Sequence, residues 1–184
     1  MNLMRLLGPL LFPVLPTLAL ACPPIPDQAD RRATLLADLK GAATFSEGRG
    51  AIDRLWMLWR KAPDEASQEL LNAGMQAIRY GDYLRAEQTL RRLTRYCPEY
   101  AEGWNQLAFV FFLQERDEPS IAALMRTLEL EPAHFGALAG LALIHLRAGR
   151  SDLGQDWLRR AVDVNPWLNE RHLLEPTDKD GPEL

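Results

Sequence analysis

The chain has 184 residues, 47% hydrophobic and 25% charged, with a formal net charge of -4 and two cysteines. That size and balance suit a globular unit rather than a disordered or fibrous chain. The acidic surplus argues against a nucleic-acid partner, since proteins that neutralise phosphates carry a basic excess.

The first elements in chain order read as an address. Residues 1–21 carry one early cation at Arg5, an apolar run from Leu6 to Leu20 broken by Pro9, Pro13 and Pro16, and Ala19-Leu20-Ala21 as a small-x-small cleavage signal. This is the layout of a secretory signal peptide, and the run is too short and too proline-rich for a permanent membrane span. Export to a bacterial periplasm is the expected localisation. Residues 22–30 form a proline-rich mature start with Pro23, Pro24 and Pro26. Cys22 there admits three fates: a disulfide with Cys97 in an oxidising compartment, a lipid anchor of the bacterial lipoprotein kind, or a free thiol. A membrane is a partner only in the lipidated case. Ala19 and Leu20 fit the lipoprotein pattern poorly.

From Ala29 onward apolar residues recur at three and four spacings, as in Leu35, Leu36 and Leu39, then Ile52, Leu55, Trp56 and Trp59. This periodicity predicts helices throughout. Pro98, Pro132 and Pro166 lie 34 residues apart, each behind an apolar helical stretch. A constant period of that size marks a repeat. Residues 101–134 place Trp104, Leu107, Ala108, Phe111, Ser120, Leu124 and Pro132 on the pattern W-x2-L-G-x2-Y, A-x3-F, P. Residues 67–100 match through Leu70, Ala73, Gly74, Ala77, Ala86, Leu90 and Pro98, and residues 135–168 through Leu138, Leu141, Ala142, His145, Gly154, Leu158 and Pro166.

In these positions the chain resembles the tetratricopeptide repeat. The resemblance implies an all-α, right-handed superhelix of stacked antiparallel helix pairs with a concave face. Three clear units are expected, over 67–100, 101–134 and 135–168. A degenerate helix pair is expected over 32–65, with Pro63 as its terminator, Leu35, Leu39 and Ala42 on its first helix and Ala51 and Leu55 on its second; Asp38 falls where an apolar residue belongs. Small residues let the helices of a pair approach closely. Gly81 and Gly149 are expected to end first helices at positive φ, and Asp82, Asp117 and Ser151 to cap second helices. Residues 169–175 read as a capping helix and 176–184 as a disordered tail.

The resemblance also implies a protein-binding groove lined by the first helices of the pairs. By register the lining residues are Leu71, Met75 and Ile78, then Asn105, Phe109 and Phe112, then Leu143 and Leu146. Some family members grip a C-terminal carboxylate with a clamp of Lys, Asn and Arg. Here Leu71, Met75, Gln106, Gly136 and Gly140 occupy those places, so the expected client is an apolar helix or extended segment of an unidentified protein, with Asn105 fixing it by a hydrogen bond. Alternatively the groove is filled by the chain itself, with Cys22 to Pro26 as one candidate filler. A second reading of the whole is a lipid-anchored component that assembles with its own copies. No cofactor or metal is expected and no enzymatic activity, because no H-E-x-x-H, C-x-x-C, G-x-S-x-G or P-loop pattern occurs. His134 is placed in a loop, His145 at an aromatic packing position and His172 in the cap.

Overall fold

A computed structural model describes residues 21–176; nearly all of the expected signal peptide and the tail beyond Pro176 lie outside the described residues. Eight α-helices follow one another: α1 (Ala29–Gly41), α2 (Phe45–Trp59), α3 (Glu65–Arg79), α4 (Tyr83–Tyr96), α5 (Ala101–Leu113), α6 (Asp117–Leu130), α7 (Phe135–Arg147) and α8 (Ser151–Val164). A short 3-10 helix, Asn169–Leu173, comes last.

Local chemistry sets most of the boundaries. Thr44 and Glu47 form a reciprocal capping box at α2, and Asp64 and Ser67 form one at α3. Cys97, Glu131 and Asn165 cap the C-termini of α4, α6 and α8, with the 34-spaced prolines next in the chain. The turn inside each repeat closes in one way. The amides of Asp82, Arg116 and Arg150 each reach back five residues, to the carbonyls of Ala77, Phe111 and His145 at 2.9–3.0 Å, the closure of a Schellman motif. It requires a left-handed residue, which is Gly81 (φ 73°) and Gly149 (φ 72°), and in the middle unit Glu115 (φ 57°). Asp82 caps α4 by accepting from the Arg85 amide at 3.1 Å. Asp117 and Ser151 do not cap: they are the first helical residues of α6 and α8, one position past the caps, which are Arg116 and Arg150. The three turns are in register, so the residues equivalent to Asp82 are those two arginines. Asp117 pairs instead with Arg147.

Helices α3–α4, α5–α6 and α7–α8 pack as antiparallel pairs, with α4 on α5 and α6 on α7 joining them into a stack. Close approach inside the pairs uses the small residues of the repeat. A Cβ on Gly74 would sit 2.6 Å from Leu90, and one on Gly154 would sit 2.7 Å from Leu146. Ser120 fits under α5 by donating its hydroxyl to the Ala108 carbonyl at 2.9 Å.

The helix pair expected over 32–65 exists, as α1 and α2, but it does not continue the stack. The buried residues of α3 share a core with α4 and α5, whereas Leu35, Leu39, Ala51, Leu55, Leu58 and Trp59 are buried in a core built with α5–α8. The hairpin has folded over the far end of the array. Ion pairs Arg32–Glu131 (2.9 Å) and Lys40–Asp163 (3.4 Å) seat α1 beside the C-termini of α6 and α8. At the other end of the stack, Cys22 is disulfide-bonded to Cys97, so the proline-rich segment that begins at Cys22 is tied beside α4 and does not enter the groove. In place of the capping helix expected over 169–175, a 3-10 helix covers only Asn169–Leu173 and buries none of its residues; Gln155 fastens it, its side chain bonding both the Leu173 carbonyl (2.9 Å) and the Glu175 amide (3.1 Å).

Candidate functional site: a concave groove partly filled by the chain

Helix α2 runs across the N-terminal ends of α5 and α7. Its Gly48 faces the Trp167 indole, and its Trp59 reaches the α4–α5 junction, where the buried Tyr100 hydroxyl donates to the Trp59 carbonyl at 2.8 Å. Burial and the neighbouring Glu102 carboxylate push the Tyr100 phenol far above its ordinary pKa, so it remains a donor. Between these ends Trp59 stacks on His134 (centroids 4.2 Å apart), and Trp56 meets Phe135 edge-on at 5.3 Å. Trp56 sits so close to α7 that a Cβ on Gly136 would lie 2.7 Å from its ring. Gly136, which stands at a groove position by register, is thus the notch for the chain's own tryptophan. Self-filling occurs, and the filler is α2 rather than the Cys22 to Pro26 segment.

Under this seat lies a buried polar hub. Glu102, 1% exposed, accepts from Gln106 Nε2 (2.7 Å), Asn105 Nδ2 (3.0 Å) and His134 Nε2 (3.1 Å). His134 Nδ1 accepts the Ala137 amide at 3.1 Å, capping α7 and leaving the ring proton on Nε2 for Glu102. The Arg60 Nε stands 3.9 Å from Glu102 and its guanidinium lies over Trp56 at 5.0 Å. His134 lies, as expected, in the connection between α6 and α7, as the N-cap of α7, but it is fully buried there and links two repeats and the hairpin. The sequence signal for the hub was a polar row at i, i+3 and i+4 (Glu102, Asn105, Gln106) on an otherwise apolar helix.

What α2 leaves open is a groove of about 380 Å³, bounded by Ile52 and Trp56 of the hairpin, Phe109 and Phe112 of α5, Leu143 of α7, and Trp167. A second recess of about 370 Å³ adjoins it and shares Trp56, Asn105, Phe109 and Gly136. Both volumes are in the range of small-ligand clefts.

The eight residues placed in the groove by register divide. Phe109 is 44% exposed and borders both recesses. Phe112 and Leu143 border the first, and Met75 and Ile78 the second. Phe112 also lies under the Arg147 guanidinium at 4.5 Å. Asn105 borders both recesses, but it is 7% exposed and donates one of its amide hydrogens to Glu102. Leu71 and Leu146 do not line the groove: Leu71 is fully buried in the α3–α5 core, and Leu146 packs onto Gly154 inside the α7–α8 pair. Their register was right for the helix and wrong by one face. His145 is 8% exposed, accepts the Arg150 Nε at 2.8 Å, and is pushed below the ordinary imidazole pKa by burial and by the adjacent guanidinium.

No family model matches the chain. It is 36% identical over 69 residues to a tetratricopeptide-repeat-containing protein of Rhizobium etli, a stretch that is 38% of this chain and 34% of that one. The chain thus matches about a third of that relative's length. Among solved structures, the first tetratricopeptide domain of Spaghetti (RPAP3) bound to an HSP90 peptide superposes with a TM-score of 0.56 at 12% identity, over 58% of this chain and 85% of that one. The crystal structure of MamA protein superposes with a TM-score of 0.51 at 16% identity, over 82% and 81%. Repeat period, helix pairing and these likenesses together give the chain a tetratricopeptide-like superhelical fold, with a fourth helix pair turned back across its groove.

Proposed function

We propose that the chain is a non-enzymatic protein-interaction module of the bacterial periplasm whose open concave groove holds an apolar helix or extended segment of a partner protein. The observation that carries this reading is Phe109: a large aromatic, 44% exposed, on the inner face of a central helix and between two recesses. Exposed aromatics in a concave setting are a mark of binding surfaces. The likeness to a peptide-bound tetratricopeptide domain supports a peptide-holding use of the same face. Export is supported by the signal-like residues 1–21 and by the Cys22–Cys97 bond, because such bonds persist in oxidising compartments. That bond also occupies the sulfur a lipid anchor would need, which favours the soluble form over the anchored one; the mass of the mature N-terminal peptide separates them.

The test is Phe109→Glu. The partner retained by the wild-type chain from an envelope extract is lost by the variant, while circular dichroism and melting stay close to wild type. A variant that keeps its partner, or one that unfolds, removes Phe109 from the binding surface and the groove reading with it.

A further inference from the structure

The charges around the two recesses are not mixed at random. The second recess is bordered by Arg60 and Arg79, the first by Asp53 and Glu170. Arg79, Asp53 and Glu170 have no ion-pair partner among the described residues, and Arg60 has only the 3.9 Å approach to Glu102. Arg49 also borders the first recess, but its guanidinium is directed over the Phe45 ring at 6.0 Å, and the two carboxylates outnumber it. Asp53 and Arg60 lie seven residues apart on one helix and its cap, so at ~1.5 Å rise per residue they are separated by about 10 Å along α2. Apolar Trp56 and Phe109 stand between the two poles.

We infer that the groove selects a dipolar segment: an apolar centre laid over Phe109, an acidic group at the Arg60–Arg79 end and a basic group at the Asp53–Glu170 end. This rests on the groove reading above and adds the partner's charge pattern to it. A spacing of about 10 Å corresponds to roughly three extended residues or two helical turns. Complementary potentials of this kind orient a partner and reject wrong ones more than they add affinity.

The experiment uses the disulfide-bonded chain and four end-blocked, fluorescein-labelled peptides that share a Leu-Phe-Leu centre. Their ends are acidic and basic, both acidic, both basic, or both serine. By fluorescence anisotropy at low salt the dipolar peptide binds most tightly, by about two- to fivefold over the serine peptide, the scale of exposed ion pairs. Arg79→Glu lowers its affinity by a similar factor and raises that of the doubly basic peptide; Glu170→Lys raises that of the doubly acidic one. Equal affinities for all four peptides, or a ranking that neither charge reversal alters, would overturn the dipolar assignment and leave the groove standing. If no peptide binds while circular dichroism shows an intact fold, the groove reading fails together with it.

Discussion

Glu102 offers the sharpest test of how the hairpin, the repeats and the groove wall are joined. In Glu102→Ala three donors lose their acceptor: the amides of Asn105 and Gln106 and the Nε2–H of His134. An unsatisfied buried donor costs about 1–3 kcal/mol. The full cost applies to His134, which is 0% exposed; Asn105 and Gln106 border the recesses, so water can reach part of their need. Against these losses stands the relief of no longer holding a carboxylate away from water. The expected net loss is about 2–4 kcal/mol. Glu102→Gln keeps the shape and an oxygen for Asn105 and His134, and Gln106 can turn its own carbonyl toward the new amide, so about 1 kcal/mol is expected there. Guanidinium unfolding followed by circular dichroism and by tryptophan fluorescence measures both, since Trp59 stacks on His134 and reports this site. An alanine variant within about 0.5 kcal/mol of wild type at unchanged m, or a glutamine variant as costly as alanine, would show that Glu102 is not the organiser of this junction.

Three further outcomes are expected. Reducing the Cys22–Cys97 bond, or replacing Cys22 with serine, opens a loop of sequence separation 75 and lowers stability by about 4 kcal/mol in the chain-entropy account; denaturation with and without dithiothreitol reads it. Trp56→Ala empties the notch at Gly136 and costs about 3 kcal/mol, with amide exchange quickening in α1 and α2 ahead of α7 and α8; uniform quickening would mean that the hairpin is not a separable unit. His145 has its pKa held below 6.5 in the folded chain by burial and by Arg150, so the unfolded chain binds the proton more readily. Its contribution to stability is present above pH 6.5 and is lost as pH falls through the folded value, and His145→Phe, which restores the aromatic found at Phe111 in the preceding repeat, should remove that part of the acid dependence in pH-resolved melting.

Much of the fold was legible because it is local and repeated. The 34-residue spacing of prolines fixes where α4, α6 and α8 end, and the small residues Gly74, Ala108 and Gly154 identify the close-packed face of each helix. Legibility failed where partners are distant in sequence. Leu71 and Leu146 share the apolar character of Phe109, and only the observed packing separates an inward face from a groove face, above all on α5 and α7, which are apolar nearly all round. Capping residues slipped by one at Asp117 and Ser151 because the turn register is set by backbone closure rather than by which side chain is a good cap. His134 is the loop residue it was expected to be, but its burial could not be read because its acceptor, Glu102, lies 32 positions away.

The hairpin explains the one mismatch that the repeat pattern left open. In a stacked unit Asp38 would have been buried against the next pair; in α1 it is exposed and pairs with Arg54 of α2 at 3.1 Å, on the side of the hairpin away from the core. Freed from the stack, α1 and α2 need only one apolar face, and that face meets the rim of the groove instead of α3. What α3 then presents outward is polar: Glu65, Glu69, Asn72 and Gln76 are all exposed, so the stack needs no neighbour at that end. The disulfide closes the arrangement by fixing Cys22 beside α4, so the chain leaves the first repeat, crosses to the last and returns to α3 within one covalent loop. The hairpin is thereby a wall of the proposed groove. It supplies Arg60 and Asp53, two of the four charged groups of the proposed dipole, together with the apolar walls Ile52 and Trp56, so any change that loosens the hairpin should alter charge selectivity and apolar binding together.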